Sequence, residues 1–216
     1  MHQLFAFECG PVATFTYLLC NTSASIAVLI DAPPDSAASV LATASEQGCV
    51  ITDLLLTHTH WDHTADVAAI VAATGARIWV HPADVYRLTD PMAHTVWPLP
   101  FTIAPITPNE LLEHGAVIAP AGLTLRVLHT PGHTEGGVCF VDDVHQRLFV
   151  GDTLFAGSVG RVDLPGGDED QLVHSIRTVL FTVADDYVAW PGHGPSTTIG
   201  RERRTNPFVG EGVGIW

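Results

Sequence analysis

The sequence predicts an α/β layered domain, and two observations carry that prediction. Apolar strand-like runs alternate with helix-like stretches along the whole chain, and 47% hydrophobic content over 216 residues suffices for one sizeable core. A single domain spanning 1–216 is therefore expected. The strand-like runs fall at about 12–19, 26–31, 50–56, 77–81, 123–129, 137–142, 146–151 and 187–190. The helical stretches fall at 35–48, 64–74, 83–88 and 168–182. Asp35 and Thr64 are expected N-caps, and Gly48 and Gly75 suit helix ends. Asp168 is expected to cap the last long helix, with Gln171 at the partner position of a capping box. Residues 89–110 break the pattern. Pro91, Pro98, Pro100, Pro105 and Pro108 make this segment an ordered irregular loop, whose Met92, Trp97 and Phe101 either wall a site or cover the core.

Composition excludes several function classes. The net charge is −14, with nine arginines, no lysine and 23 carboxylates. Phosphate neutralisation needs clustered cations, so nucleic acid is not an expected partner. Cys9, Cys20, Cys49 and Cys139 show no paired spacing and read as reduced core residues of a cytoplasmic protein. The N-terminus lacks the basic start and long apolar run of a signal peptide, and no stretch has the length of a membrane span.

The densest chemistry is Thr57-His-Thr-His-Trp-Asp-His63, where His58, His60, Asp62 and His63 put four metal-competent side chains into six positions. The i, i+2 spacing of His58 and His60 suits extended backbone rather than helix, so the cluster is placed on the loop leaving the strand at 50–56. Three later motifs repeat that arrangement. His133 lies in Thr130-Pro-Gly-His-Thr-Glu-Gly136, Asp152 in Leu148-Phe-Val-Gly-Asp-Thr153, and His193 in Trp190-Pro-Gly-His-Gly-Pro195. Each follows an apolar strand and is flanked by glycine, so strand ends gathered on one sheet edge would bring them together. The other histidines (His2, His81, His94, His114, His129, His145 and His174) read as structural or exposed, with His94 alone placed to approach a substrate.

The order H-x-H-x-D-H, then His, Asp and His, resembles the metallo-β-lactamase superfamily over almost the whole chain. The resemblance implies a four-layer αβ/βα sandwich with two divalent metal ions at one edge, zinc with iron and manganese as alternatives. By motif position His58, His60 and His133 would hold one ion and Asp62, His63 and His193 the other, with Asp152 bridging. Asp62 and Asp152 are then the candidate catalytic carboxylates. Two such ions about 3.5–4 Å apart can share a hydroxide acidified enough to act as nucleophile, and one polarises the scissile carbonyl. No G-x-S-x-G elbow offers a competing nucleophile.

Within that superfamily the chain is most similar to the shorter glyoxalase II-like enzymes, the hydroxyacylglutathione hydrolases. The similarity rests on Gly151-Asp-Thr-Leu-Phe155, on Ala156 to Asp168, and on the ending Glu202-Arg-Arg-Thr-Asn-Pro-Phe208. It implies a small-molecule thioester or related ester as substrate, and a thiolate leaves readily. Only 23 residues follow His193, so the C-terminal helical domain of full-length glyoxalase II is expected to be missing. Where that group has Lys and Tyr, this chain has Arg161 and Asp163. Arg161 is the candidate substrate-binding residue through its bidentate fork, with an ion pair to Asp163 or Asp168 as the other reading. Two rival activities remain at this point. One is a single-iron persulfide dioxygenase using His58, His133 and Asp152, and the other is a lactonase.

Overall fold

The computed structural model describes residues 2–212, so the expected span of 1–216 extends past it, and Met1 and 213–216 lie outside the described residues. Two six-stranded sheets stack face to face, with helices on both outer surfaces. The first sheet runs in the order β1 (His2–Cys9), β2 (Thr14–Asn21), β3 (Ile26–Ile30), β4 (Val50–Leu55), β5 (Arg77–Val80) and β6 (Glu110–Leu111). Its first three strands are antiparallel and the pairs from β3 to β6 are parallel. The second sheet contains β7 (Val117–Ile118), β8 (Leu125–His129), β9 (Val138–Asp142), β10 (Arg147–Gly151), β13 (Val188–Pro191) and β14 (Thr197–Thr198). All of its pairs are antiparallel except β10 with β13. A short hairpin of β11 (Leu154–Phe155) and β12 (Ser158–Val159) follows Asp152.

Strand alternation explains the four layers. Successive side chains leave opposite faces of a strand, so a strand apolar at every position must be covered twice. In β2 and β3, Tyr17, Leu19, Val28 and Ile30 face Val127, Val138, Phe140 and Phe149 of the other sheet. Leu18, Cys20, Ala27 and Leu29 face outward onto Val40 and Ala44 of α1 (Ala37–Glu46) and Val67 and Ile70 of α3 (Val67–Thr74). In the second sheet Cys139, Val141, Leu148 and Val150 face Leu172 and Ile176 of α5 (Glu169–Thr178) and Ile199 of α6 (Ile199–Thr205). Each such aliphatic side chain, fully buried, contributes about 1.5–3 kcal/mol before entropy is counted.

The eight expected strand segments all contain strands, and the four helical stretches all contain helices. Two caps fall elsewhere. Asp35 does not cap α1, because it sits at φ 65 and Ser36 is the residue preceding the helix. The first amide of α1, on Ala37, instead donates to Asp66 Oδ2 at 2.8 Å, a partner 29 residues away. Thr64 does not cap α3 either, since it closes the one-turn helix α2 (Trp61–Thr64) and its hydroxyl donates back to the His60 carbonyl at 3.1 Å. Gly75 does end α3 in the left-handed region, at φ 72, and Asp168 Oδ1 accepts the Gln171 amide at 2.9 Å. The stretch 83–88 becomes a 3-10 turn over Pro82–Asp84 followed by α4 (Val85–Thr89). The stretch 168–182 becomes α5 plus a second such turn, Leu180–Thr182. Among the described residues no helix is long and apolar enough to cross a membrane.

Candidate functional site

The strand ends meet along one edge of the sandwich. β4 delivers Thr57–His60 and leads into α2 with Asp62 and His63, while β8, β10 and β13 lead to His133, Asp152 and His193. Backbone bonds stitch the two sheets together there. The Phe15 amide donates to the Gly192 carbonyl at 2.7 Å, and the Val138 amide donates to the Thr57 carbonyl at 2.8 Å. Gly192 must lack a side chain, because a Cβ there would run into Asp152 Oδ1 and the ring of His63.

All seven expected ligand residues come together. Their donor atoms form three overlapping groups, His58 with His60 and His133, His58 with His63 and Asp152, and Asp62 with His63 and His193. Within each group the donor atoms lie within 4.8 Å of one another. His133 Nε2 is 2.9 Å from His60 Nδ1 and 3.2 Å from His58 Nε2. Asp152 Oδ1 lies 3.3 Å from His63 Nε2, and its Oδ2 lies 3.6 Å from His133 Nε2 and 3.5 Å from His193 Nε2. Asp62 Oδ2 stands 3.2 Å from His193 Nε2 and accepts the Thr14 hydroxyl at 3.1 Å.

The outward-facing nitrogens of four histidines are anchored to oxygen, which orients each ring. His63 Nδ1 bonds Asp31 Oδ2 at 2.8 Å, and His133 Nδ1 bonds the Arg161 carbonyl at 2.7 Å. His58 Nδ1 lies 3.2 Å from Thr57 Oγ1, and His193 Nδ1 lies 3.2 Å from the Val12 carbonyl. With the proton on that anchored nitrogen, the other nitrogen presents a lone pair to the centre of the cluster.

These residues fit divalent cations on the structure's own terms. With their Nδ1 protons anchored, His58 and His133 point their Nε2 lone pairs at each other across 3.2 Å, a contact that a cation between them relieves. Two nitrogens bound to one tetrahedral cation at about 2.0–2.1 Å would stand about 3.3 Å apart. His63 Nε2 and Asp152 Oδ1 are buried without a hydrogen-bond partner, the condition a cation resolves.

The electrostatics point the same way. Burial drives His58 well below its ordinary value, and burial together with His133 takes His60 to about 3, so both stay neutral. For His63 burial acts downward, yet Asp152, Asp31 and Asp62 raise it well above the ordinary value. Burial likewise opposes His193, but bonds to Asp152 and Asp62 carry it up to about 10. Against the upward push of burial, His63 and His193 hold Asp152 far below the usual carboxylate range and lower Asp62 as well. A buried site with this many carboxylates draws in positive charge.

Two buried carboxylates escaped the sequence reading. Asp31, just past β3, accepts the Thr57 amide at 2.8 Å and the Thr57 hydroxyl at 2.7 Å in addition to His63. Its place at a strand end was the available signal. Asp84 is fully buried and ties two ligand loops together. It accepts the Thr59 amide at 3.1 Å, the Thr134 hydroxyl at 2.9 Å, the Gly136 amide at 2.7 Å and Arg87 at 3.0 Å. Arg87 in turn reaches Glu135 at 2.6 Å and the Pro165 carbonyl at 2.8 Å. Burial pushes the Asp84 carboxyl up, opposed by Arg87 and by the Thr134 and Gly136 bonds. Nothing in the sequence marks Asp84.

Above the cluster opens a trough of about 520 Å³, walled by Trp61, Trp97, Phe155, Val159 and Leu164. Of the irregular loop, Trp97 reaches this trough, Phe101 packs on Trp61 with ring centroids 6.1 Å apart, and Met92 Sδ meets the Ile103 amide instead. His94 stacks edge-on against Tyr86 at 4.6 Å and lines a smaller recess beside His60 and Trp61. Arg161 borders the trough, but its fork is engaged by Asp163, with Nε to Oδ1 at 2.7 Å and the second nitrogen to Oδ2 at 2.8 Å.

Comparison with known proteins agrees with this geometry. The family model for the metallo-β-lactamase superfamily matches residues 9–193. The hydroxyacylglutathione hydrolase GloC of Haemophilus influenzae is 35% identical, over 85% of this chain and 87% of its own length. The B3 metallo-β-lactamase BLEG-1 superposes with a TM-score of 0.88 at 32% identity, covering 96% of this chain and 99% of that one. The protein TTHA1623, crystallised in a di-iron-bound form, gives a TM-score of 0.83 at 38% identity, covering 95% and 100%. With its sandwich, its His and Asp cluster and this match over most of its length, the chain belongs to the metallo-β-lactamase superfamily.

Proposed function

We propose that this protein is a metal-dependent hydrolase of small thioesters or related esters, with two divalent cations per chain. The observation that carries the reading is the convergence of five histidines and two aspartates on a buried edge that opens into a trough. In this assignment His58, His60 and His133 would hold one cation, Asp62, His63 and His193 would hold the other, and Asp152, within reach of both groups, would contribute to each. Bound there, the cations would supply an acidified water as nucleophile and Lewis-acid polarisation of the substrate carbonyl. Zinc is our first candidate, while the di-iron relative makes iron the second.

The chain's own groups do the rest. Asp62, steadied by the Thr14 hydroxyl and kept ionised by His63 and His193, is suited to hold and orient the nucleophile rather than to take a proton from it. The Asp31 and Arg161 carbonyl anchors keep His63 and His133 in the tautomers that ligation needs. The trough would seat the substrate's flanking group against Trp61, Trp97 and Phe155. As the C–O bond forms and the C–S bond breaks, the sulfur leaves with the bonding pair, and the thiolate is stable enough to need no strong acid. The free state of all four cysteines suits a reducing, cytoplasmic setting.

A hydroxyacylglutathione thioester is the first substrate to assay, following the name of the Haemophilus influenzae relative. A β-lactam belongs beside it, following the name of the BLEG-1 structure. A single-iron dioxygenase would use only His58, His133 and Asp152 and leave His60, Asp62, His63 and His193 idle. Metal analysis of purified protein should give close to two ions per chain, with thioester cleavage and no oxygen uptake on a persulfide. Asp152→Ala should lose metal and reduce hydrolysis by about a thousandfold together. Full activity in that variant, or oxygen consumption by the wild type, would sink the proposal.

A further inference from the structure

We infer that the trough selects substrates whose flanking group is neutral and apolar, and that Asp163 enforces this choice by neutralising Arg161. The inference rests on the hydrolase reading above and specifies its substrate class. Its first support is the lining, where Val12, Trp61, Trp97, Phe155, Val159 and Leu164 offer apolar and aromatic surface and, apart from the ligand residues, only Ser158 and Arg161 are polar.

The second support is the state of the one arginine there. Among the described residues lining the trough, Arg161 alone carries a permanent positive charge. Its bidentate face is filled by Asp163, and its guanidinium carbon stands 5.2 Å from the Trp97 ring centroid. An incoming carboxylate therefore meets a neutral couple. To gain the arginine it must displace a carboxylate tethered two residues away, which acts at an effective concentration in the millimolar range. Arg87, which lines the smaller recess next to the trough, is buried and already bonded to Asp84, Glu135 and the Pro165 carbonyl.

Glutathione conjugates carry two carboxylates, and away from the ligand cluster this trough offers neither of them an unpaired cationic side chain. An aryl or branched alkyl thioester matches the walls instead. Such a group gains the burial of apolar area without desolvating charge. Asp163 is thus a specificity-determining residue, and it acts through Arg161.

The test compares two thioesters with the same lactoyl group, one on benzyl thiol and one on glutathione, using metal-loaded enzyme. The wild type should favour the benzyl thioester in kcat/KM by about threefold to tenfold. Asp163→Asn should move that ratio toward the glutathione thioester by a similar factor, and adding Arg161→Ala should cancel the shift. A wild-type preference for the glutathione thioester, or an unchanged ratio in Asp163→Asn, would overturn the inference. Binding of two inert thioethers, dibenzyl sulfide and S-benzylglutathione, reads the same preference by calorimetry without any turnover. If neither thioester is cleaved by protein holding its metals, the hydrolase reading fails. The calorimetric preference then stands or falls separately, and tighter binding of S-benzylglutathione would reject the inference.

Discussion

The ligand edge and the trough rim lie side by side yet are built in opposite ways. At the edge His58, His63 and His133 are at most 4% exposed, and bonds from Asp31, Thr57 and the Arg161 carbonyl fix their rings. At the rim Trp97 is 43% exposed and is held by ring contact, and the Arg161–Asp163 pair faces solvent. Buried networks have few alternative arrangements, whereas exposed ion pairs contribute about 1 kcal/mol or less and rearrange freely. The edge is therefore organised for one chemistry, and the rim is where a substrate preference can be tuned in small steps.

Breaking the support behind the edge should have the largest effect. Asp84→Ala takes from Arg87 its buried carboxylate, leaving it Glu135 and the Pro165 carbonyl, and unties the loops carrying Thr59 and Gly136, so a loss of about 3 kcal/mol in unfolding free energy is expected. Urea titration checks this, and a change below about 1 kcal/mol would mean that the loops hold themselves. Asp31→Asn should weaken metal affinity by about 10–100-fold, because the His63 ring loses its carboxylate anchor. Competition with a chromogenic chelator measures that affinity, and wild-type binding would show the anchor to be dispensable. Trp97→Ala, out on the rim, should raise KM only several-fold while metal content stays at the wild-type level. A loss of metal in that variant would erase the distinction between the two regions.

The same contrast governs what the sequence disclosed. Each of His58, His60, Asp62, His63, His133, Asp152 and His193 follows an apolar strand, so local pattern sufficed to place them on one edge. Asp84 acquires its role from Thr134 and Gly136, about 50 residues away, and no local pattern encodes that. The α1 amide is capped by Asp66 rather than by Asp35 for the same reason. β1 was missed because its alternation is weak, and it is ordered by eight consecutive pairings with β2. α6 was missed because its polar sequence hides a buried Glu202. That carboxylate accepts the Thr197 hydroxyl at 2.5 Å and, at 2.9 Å each, the Gly157 amide and the Asn206 side chain. The bidentate Arg161–Asp163 pair was one of the readings left open, and only side-chain geometry could select it.

Gly192 has a consequence for anyone redesigning this molecule. With a neighbouring carboxylate oxygen and an imidazole already filling the space a methyl group would need, even alanine is too large at this position. A randomised library that includes residue 192 spends its diversity on variants that displace Asp152 or His63. One confined to the rim at Trp97, Val159 and Asp163 varies what the trough accepts and spares Val12 and Phe155, which touch His193.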